Sequence, residues 1–161
     1  MKLLITNILL IVSIYLTGQS TDVVSGKKYK GAIFSAEYVM PPWTFEVKEK
    51  RFTPTAEEID GIEAKIRREI KALNSERINQ GKGFGPIIHK NLGKYVRQYL
   101  GMINEKGERV ILINCLWYKS SFVDGWEVEW INVLDGGSHY WQVKYNIDLD
   151  LFYEFGANGV A

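Results

Sequence analysis

VLDGGSHYWQVKYNIDLDLFYEF, residues 133–155, is the stretch whose reading decides the fold. It opens on Asp135-Gly136-Gly137, where two glycines can take the positive φ angles a tight hairpin turn demands. The side chains then alternate. His139, Trp141, Val143, Tyr145 and Ile147 fall on one face of an extended strand, and Ser138, Tyr140, Gln142, Lys144, Asn146 and Asp148 on the other. Beyond Asp148, Leu149, Leu151, Tyr153 and Phe155 alternate with Asp150, Phe152 and Glu154. A sheet with one apolar and one mostly wet face is expected.

Working outward toward the N-terminus, residues 109–119 contain Val110-Ile111-Leu112-Ile113, apolar on both faces as in a central strand. Asn104-Glu105-Lys106-Gly107-Glu108 before it reads as a hairpin turn. Residues 87–104 fit helical spacing through Ile88, Leu92, Tyr95 and Tyr99, but glycines and aromatics favour a strand from about Lys94. Residues 120–125 form a loop, and 126–134 are expected to extend into the hairpin, with a bulge or a late strand start at Trp130-Ile131.

The one helix is announced by Thr53-Pro54-Thr55-Ala56-Glu57-Glu58. Thr55 and Glu58 make a capping box; alternatively Thr53 caps with Pro54 as first helical residue. Ile59, Ile62, Ile66, Ile70 and Leu73 recur at intervals of three and four, an apolar stripe that belongs against the protein's own sheet. Gln80-Gly81-Lys82-Gly83-Phe84-Gly85-Pro86 lacks the lysine-serine/threonine ending of a phosphate loop and is a connector. Upstream, Trp43, Phe45 and Val47 alternate in a strand running to Phe52, and residues 32–40 fit an edge strand ended by Pro41-Pro42. Residues 21–30 read as a flexible polar lead-in. The fold class is therefore α+β, one long helix packed on a curled antiparallel sheet. A single domain is expected over residues 41–161, with 21–40 as lead-in and edge strand.

Residues 1–20 have the layout of a secretory signal peptide: basic Lys2, an apolar run from Leu3 to Leu16, and small residues at Gly18-Gln19-Ser20. Cleavage after Ser20 or after Gly18 is expected, giving a secreted or periplasmic protein with no stable membrane span. The chain has 20 Lys+Arg and 19 Asp+Glu; losing Lys2 leaves 19 against 19, a neutral mature protein with no electrostatic footprint for nucleic acid. Cys115 is the single cysteine, so no intramolecular disulfide forms.

KNLGKYVRQYLGMINEKGERVILINCLW and VLDGGSHYWQVKYNIDLDLFYEFGANGVA resemble an uncharacterised family of small secreted proteins, with a likeness from about Phe52 to Ala161. One helix followed by a meander is similar to the cystatin-like architecture. The resemblance implies a fold and export, not an activity. Cystatin inhibitors use a Gln-x-Val-x-Gly hairpin, of which Gln98-Tyr99-Leu100-Gly101 is a distant echo; Pro42-Trp43 precedes the helix rather than lying in a late hairpin. Protease inhibition therefore lacks residue-level support.

Cys115 with His139 or His89 makes a nominal nucleophile–base pair, but no third group or oxyanion site accompanies it, and no catalytic residue is assigned. No cofactor is implied, and the separated histidines give no metal-ligand spacing. The stronger signal is aromatic, 13% of residues with five Trp. One helix buries one sheet face. The other, carrying some of Tyr118, Tyr140 and Phe152, is exposed, covered by residues 32–47, or used for binding an unknown protein or small-molecule ligand. His139, at the end of the hairpin on the apolar face, is a further surface candidate. Two functions compete: a secreted non-catalytic binding module, and a cone-shaped enzyme or small-molecule-binding protein with His139 at the cavity mouth.

Overall fold

The computed structural model describes residues 21–42, 44 and 49–160. The expected signal segment and the alternation through Trp43, Phe45 and Val47 lie outside the described residues. Within them the chain is α+β. It has β1 (Thr21–Gly26), β2 (Tyr29–Phe34), β3 (Lys50–Phe52), α1 (Ala56–Leu73), β4 (Tyr95–Ile103), β5 (Arg109–Trp117), β6 (Tyr140–Asn146) and β7 (Leu151–Ala157). The sheet runs β1-β2-β4-β5-β6-β7, and β3 pairs with the end of β4 that β2 does not reach.

Helix α1 forms where the cap signals place it. Glu58 N–H donates to Thr55 Oγ1 at 3.2 Å while Thr55 N–H donates to the Glu58 carboxylate at 2.9 Å, so the capping box is reciprocal. Ile59, Ile62, Ile66 and Ile70 are buried against Tyr95, Tyr99, Ile111, Ile113, Trp141 and Val143. The expected alternation in β6 is present, with Trp141, Val143 and Tyr145 turned to the helix.

Four expectations are corrected. Residues 21–30 are a β-hairpin rather than a flexible lead-in. β1 is an edge with little burial, which is why it reads as polar, and Tyr29 anchors the hairpin through a hydroxyl–carboxylate hydrogen bond to Asp60 on α1. The strand expected at 32–40 is β2, which ends at Phe34 and lies inside the sheet. The sheet is mixed: β2 pairs parallel with β4, while the other pairings are antiparallel. A parallel pair needs a long crossover, and the segment containing α1 supplies it. Residues 126–134 do not extend into a hairpin; they run irregularly over the second sheet face.

The Asp135-Gly136-Gly137 turn does have both glycines at positive φ, 90° and 55°. It leads into a 3₁₀ turn, Gly137–His139, instead of joining two paired strands. A Cβ on Gly137 would stand 2.2 Å from the Phe84 carbonyl oxygen, because the glycine-rich loop clasps this turn. Ser138 N–H donates to the carbonyls of Asn79 and Phe84, and its hydroxyl donates to that of Pro86 at 2.6 Å. The connector is thus a structural clamp.

Candidate functional site

The two sheet faces are packed differently. On the helix face the apolar stripe is interrupted by one buried ion pair. Glu63 of α1 and Arg97 of β4 are both fully buried, with Arg97 Nε 2.7 Å from Glu63 Oε1. Tyr99 donates its hydroxyl to the same oxygen at 2.9 Å, and Arg97 also donates to the carbonyls of Tyr95 and Leu92. Oε2 of Glu63 has no partner among the described residues. Burial raises the Glu63 carboxyl above its ordinary range, against the pull of Arg97 and Tyr99. Cys115 lies in the same layer, fully buried, and burial pushes its thiol up, with Arg97 opposing and Glu63 adding. Its cross-strand neighbour is Trp141, not His139. Between helix and sheet, Ile59, Ile62, Ile66, Tyr99 and Trp141 are buried together.

The second face is covered without a helix. Tyr38 stands edge-on to Phe34, with ring centroids 4.6 Å apart, and Trp130 lies against the same ring at 5.4 Å. The irregular covering segment cannot bond its own backbone as a helix does, so the sheet supplies partners. Gln98, Asn114 and Gln142 are in register across β4, β5 and β6. Asn114 Nδ2 donates to Gln98 Oε1 at 3.1 Å, and Gln142 Nε2 to Asn114 Oδ1 at 3.2 Å. From this amide ladder Gln98 Nε2 donates to the carbonyls of Trp126 and Glu129, Asn114 Nδ2 donates to that of Ile131, and Gln98 Oε1 accepts Ile131 N–H.

The cover leaves a groove of about 1190 Å³ between residues 38–42, 117–122 and 129–140. Trp130 and Tyr140 are almost wholly buried, and Trp117 is half-buried; all three line it. Val39, Phe122 and Leu134 also line it, at 68%, 76% and 78% exposure. A groove with this much exposed apolar surface can exclude water from an apolar ligand.

Of the four expected surface residues, the structure brings two together here. Tyr140 is 6% exposed, its hydroxyl 2.6 Å from Ser120 Oγ. His139 sits at the end of the 3₁₀ turn rather than on the strand, with its ring 5.6 Å from that of Trp117. Its Nδ1 lies 3.0 Å from the Gly136 carbonyl. A carbonyl only accepts, so Nδ1 is the donor in this contact. Tyr118 is half exposed outside the groove, under Lys119 Nζ at 5.9 Å.

Phe152 is a correction: it packs on the helix side, with its ring 4.8 Å from that of Tyr145. The cause is the register set by the turn after β6, where Asn146 pairs with Leu151 and Tyr145 with Phe152, so that an even-numbered residue of β7 takes the face that odd-numbered residues hold in β6. Farther along, a bulge makes Glu154 and Phe155 together oppose Val143. Glu154 takes φ 49° there, and the extra residue puts Phe152 and Phe155 on one face with Tyr153 on the other. Val39, Phe122 and Leu134 were not singled out from the sequence; their signal was large apolar side chains in otherwise polar loops. No group of three or more metal-ligating side chains occurs among the described residues, and no helix among them is long and apolar enough to cross a membrane. No family model, curated protein or solved structure matches the chain.

Proposed function

We propose that the protein is a secreted, non-catalytic binding module whose ligand seat is the groove over the second sheet face. One observation carries the reading: Val39, Phe122 and Leu134 stand exposed around a single hollow of about 1190 Å³. Covering apolar surface contributes roughly 25 cal/mol per Å² before the costs of association, so a solvated rim of this kind favours a ligand. Export is supported by the charged head, apolar run and small-residue exit of residues 1–20. A helix followed by the meander β4–β7 supports relating the architecture to the cystatin-like type.

The alternative, a cone-shaped enzyme or small-molecule-binding protein, wants its hollow between helix and sheet. Ile59, Ile62, Ile66, Tyr99 and Trp141 lie buried there. His139 does line the groove, but the described residues give its ring no carboxylate hydrogen bond to orient it as a base.

The test is titration with an apolar fluorescent dye, anilinonaphthalene sulfonate, against wild type and the Phe122→Ser/Leu134→Ser double variant. Affinity should fall about tenfold, as loss of two buried apolar contacts implies. Equal binding by both proteins would remove the groove as the seat. Mass spectrometry of exported protein should find a start at Gln19 or Thr21; an intact Met1 would overturn cleavage.

A further inference from the structure

We propose that the groove takes an extended polypeptide segment, added as a strand along residues 132–134, that carries apolar side chains and a basic residue. The proposal rests on the binding reading above and gives it a partner chemistry.

Residues 131–135 have no regular secondary structure, yet they behave as a strand in two respects. Their side chains alternate: Ile131 and Val133 lean on the second core, while Asn132 and Leu134 are exposed. Their backbone carbonyls alternate as well. Ile131 N–H donates to Gln98 Oε1 at 3.0 Å, and its carbonyl accepts from Asn114 Nδ2 at 2.8 Å. The carbonyls of Val133 and Asp135 both accept from Asn158 Nδ2. In extended chain the N–H and C=O of every second residue point to the same side. The intervening groups of Asn132 and Leu134 therefore point to the other side, and they have no partner among the described residues. Two such donor–acceptor sets are what an added strand uses.

Charge points to the same partner. The groove lining carries two carboxylates, Glu129 and Asp135, against one ammonium, Lys119. Neither carboxylate is in an ion pair among the described residues. A lysine or arginine beside apolar residues complements this balance. Size agrees: about 1190 Å³ exceeds the roughly 300–1,000 Å³ of small-ligand pockets. A small amphiphile would use the apolar surface and leave the backbone edge unused.

The experiment titrates the full protein with a positional-scanning set of blocked heptapeptides, alternating valine with a varied residue and ending in lysine. Tryptophan fluorescence reads affinity, and amide hydrogen exchange reads Asn132 and Leu134. The best peptide should slow exchange at both amides. Methylating its alternate backbone nitrogens, or replacing its lysine by glutamate, should each weaken binding about tenfold, the worth of one or two hydrogen bonds or a charge contact. Leu134→Pro, which removes an N–H that no described residue accepts, should weaken it similarly with an unchanged thermal midpoint. Equal affinity for methylated and unmethylated peptides would overturn strand addition. Binding of dodecylammonium or the dye with no peptide bound would overturn the inference while leaving the binding reading standing. Failure of every probe would remove both.

Discussion

The helix face and the groove face of one sheet solve the same problem with different chemistry. Helix α1 bonds its own backbone, so it asks nothing polar of the sheet and presses an isoleucine stripe onto tyrosine, isoleucine and tryptophan side chains. The irregular cover at 126–134 asks for partners, and the opposite face provides Gln98 and Asn114 at the cost of apolar packing there. Regular structure permits a closed, filled layer. Irregular structure tethered at a few amides leaves concave space, and that is where the groove lies.

The largest effect should come from the ion pair buried within the helix face. Glu63→Ala leaves the Arg97 guanidinium buried and uncompensated, so denaturant unfolding should show a loss of about 3–5 kcal/mol. A loss under 1 kcal/mol, as exposed pairs give, would mean that water reaches this layer and the contrast between faces is false. On the other face, Asn114→Ala should cost about 1–3 kcal/mol, the price of unpaired buried polar groups. It should also weaken dye binding in the groove, because Asn114 holds the Ile131 carbonyl. Stability lost with dye binding intact would separate the ladder from the groove wall.

Cys115 probes the dryness of the helix face directly. Its folded pKa is raised above the ordinary 9.0, so the unfolded thiol ionises first as pH climbs. The sign follows: stability is fully present below pH 9 and falls with rising pH above it, by about 1.4 kcal/mol per unit, and Cys115→Ala should flatten that slope. Thiol labelling near neutral pH should be slow in the native protein and fast in denaturant; rapid native labelling would show an accessible, activated cysteine. The smallest expected effect concerns neither face. Gly61 is an exposed helical residue with nothing within 4 Å of an added Cβ, so Gly61→Ala should stabilise by about 0.5–1 kcal/mol. Destabilisation would place an unseen contact on the helix's outer side.

What the sequence made legible was whatever repeats with a period. The Thr55–Glu58 box and the isoleucine stripe locate α1, and the alternation from Tyr140 to Asn146 locates β6 and its two faces. Glu63 and Arg97 were legible in principle: Glu63 is four residues after Ile59 and three before Ile66, and Arg97 alternates with Tyr95 and Tyr99, so each charge occupies an apolar-face position. Phe152 was misplaced because the turn after Asn146 shifts the alternation by one residue and pairs Phe152 with Tyr145, and no local signal fixes that register. The groove was not legible at all. It arises where loops distant in sequence settle over the sheet, and loop side chains such as Phe122 and Leu134 carry no periodicity to reveal their common location.

The parallel pairing of β2 with β4 has a consequence for the order of assembly. A chain made, or threaded through a pore, from its N-terminus delivers the β1–β2 hairpin first, yet the partner of β2 is Arg97–Leu100, on the far side of the helix. Until that segment emerges, Ile33 and Phe34 have only β1 beside them, whereas β4 with β5 and β6 with β7 pair across short turns, and β5 meets β6 after the connection 118–139. Local pairings form sooner than distant ones because less chain must be ordered to close them. The first segment to appear is therefore the last to find its place, and throughout that wait its apolar side chains are the ones a chaperone would meet.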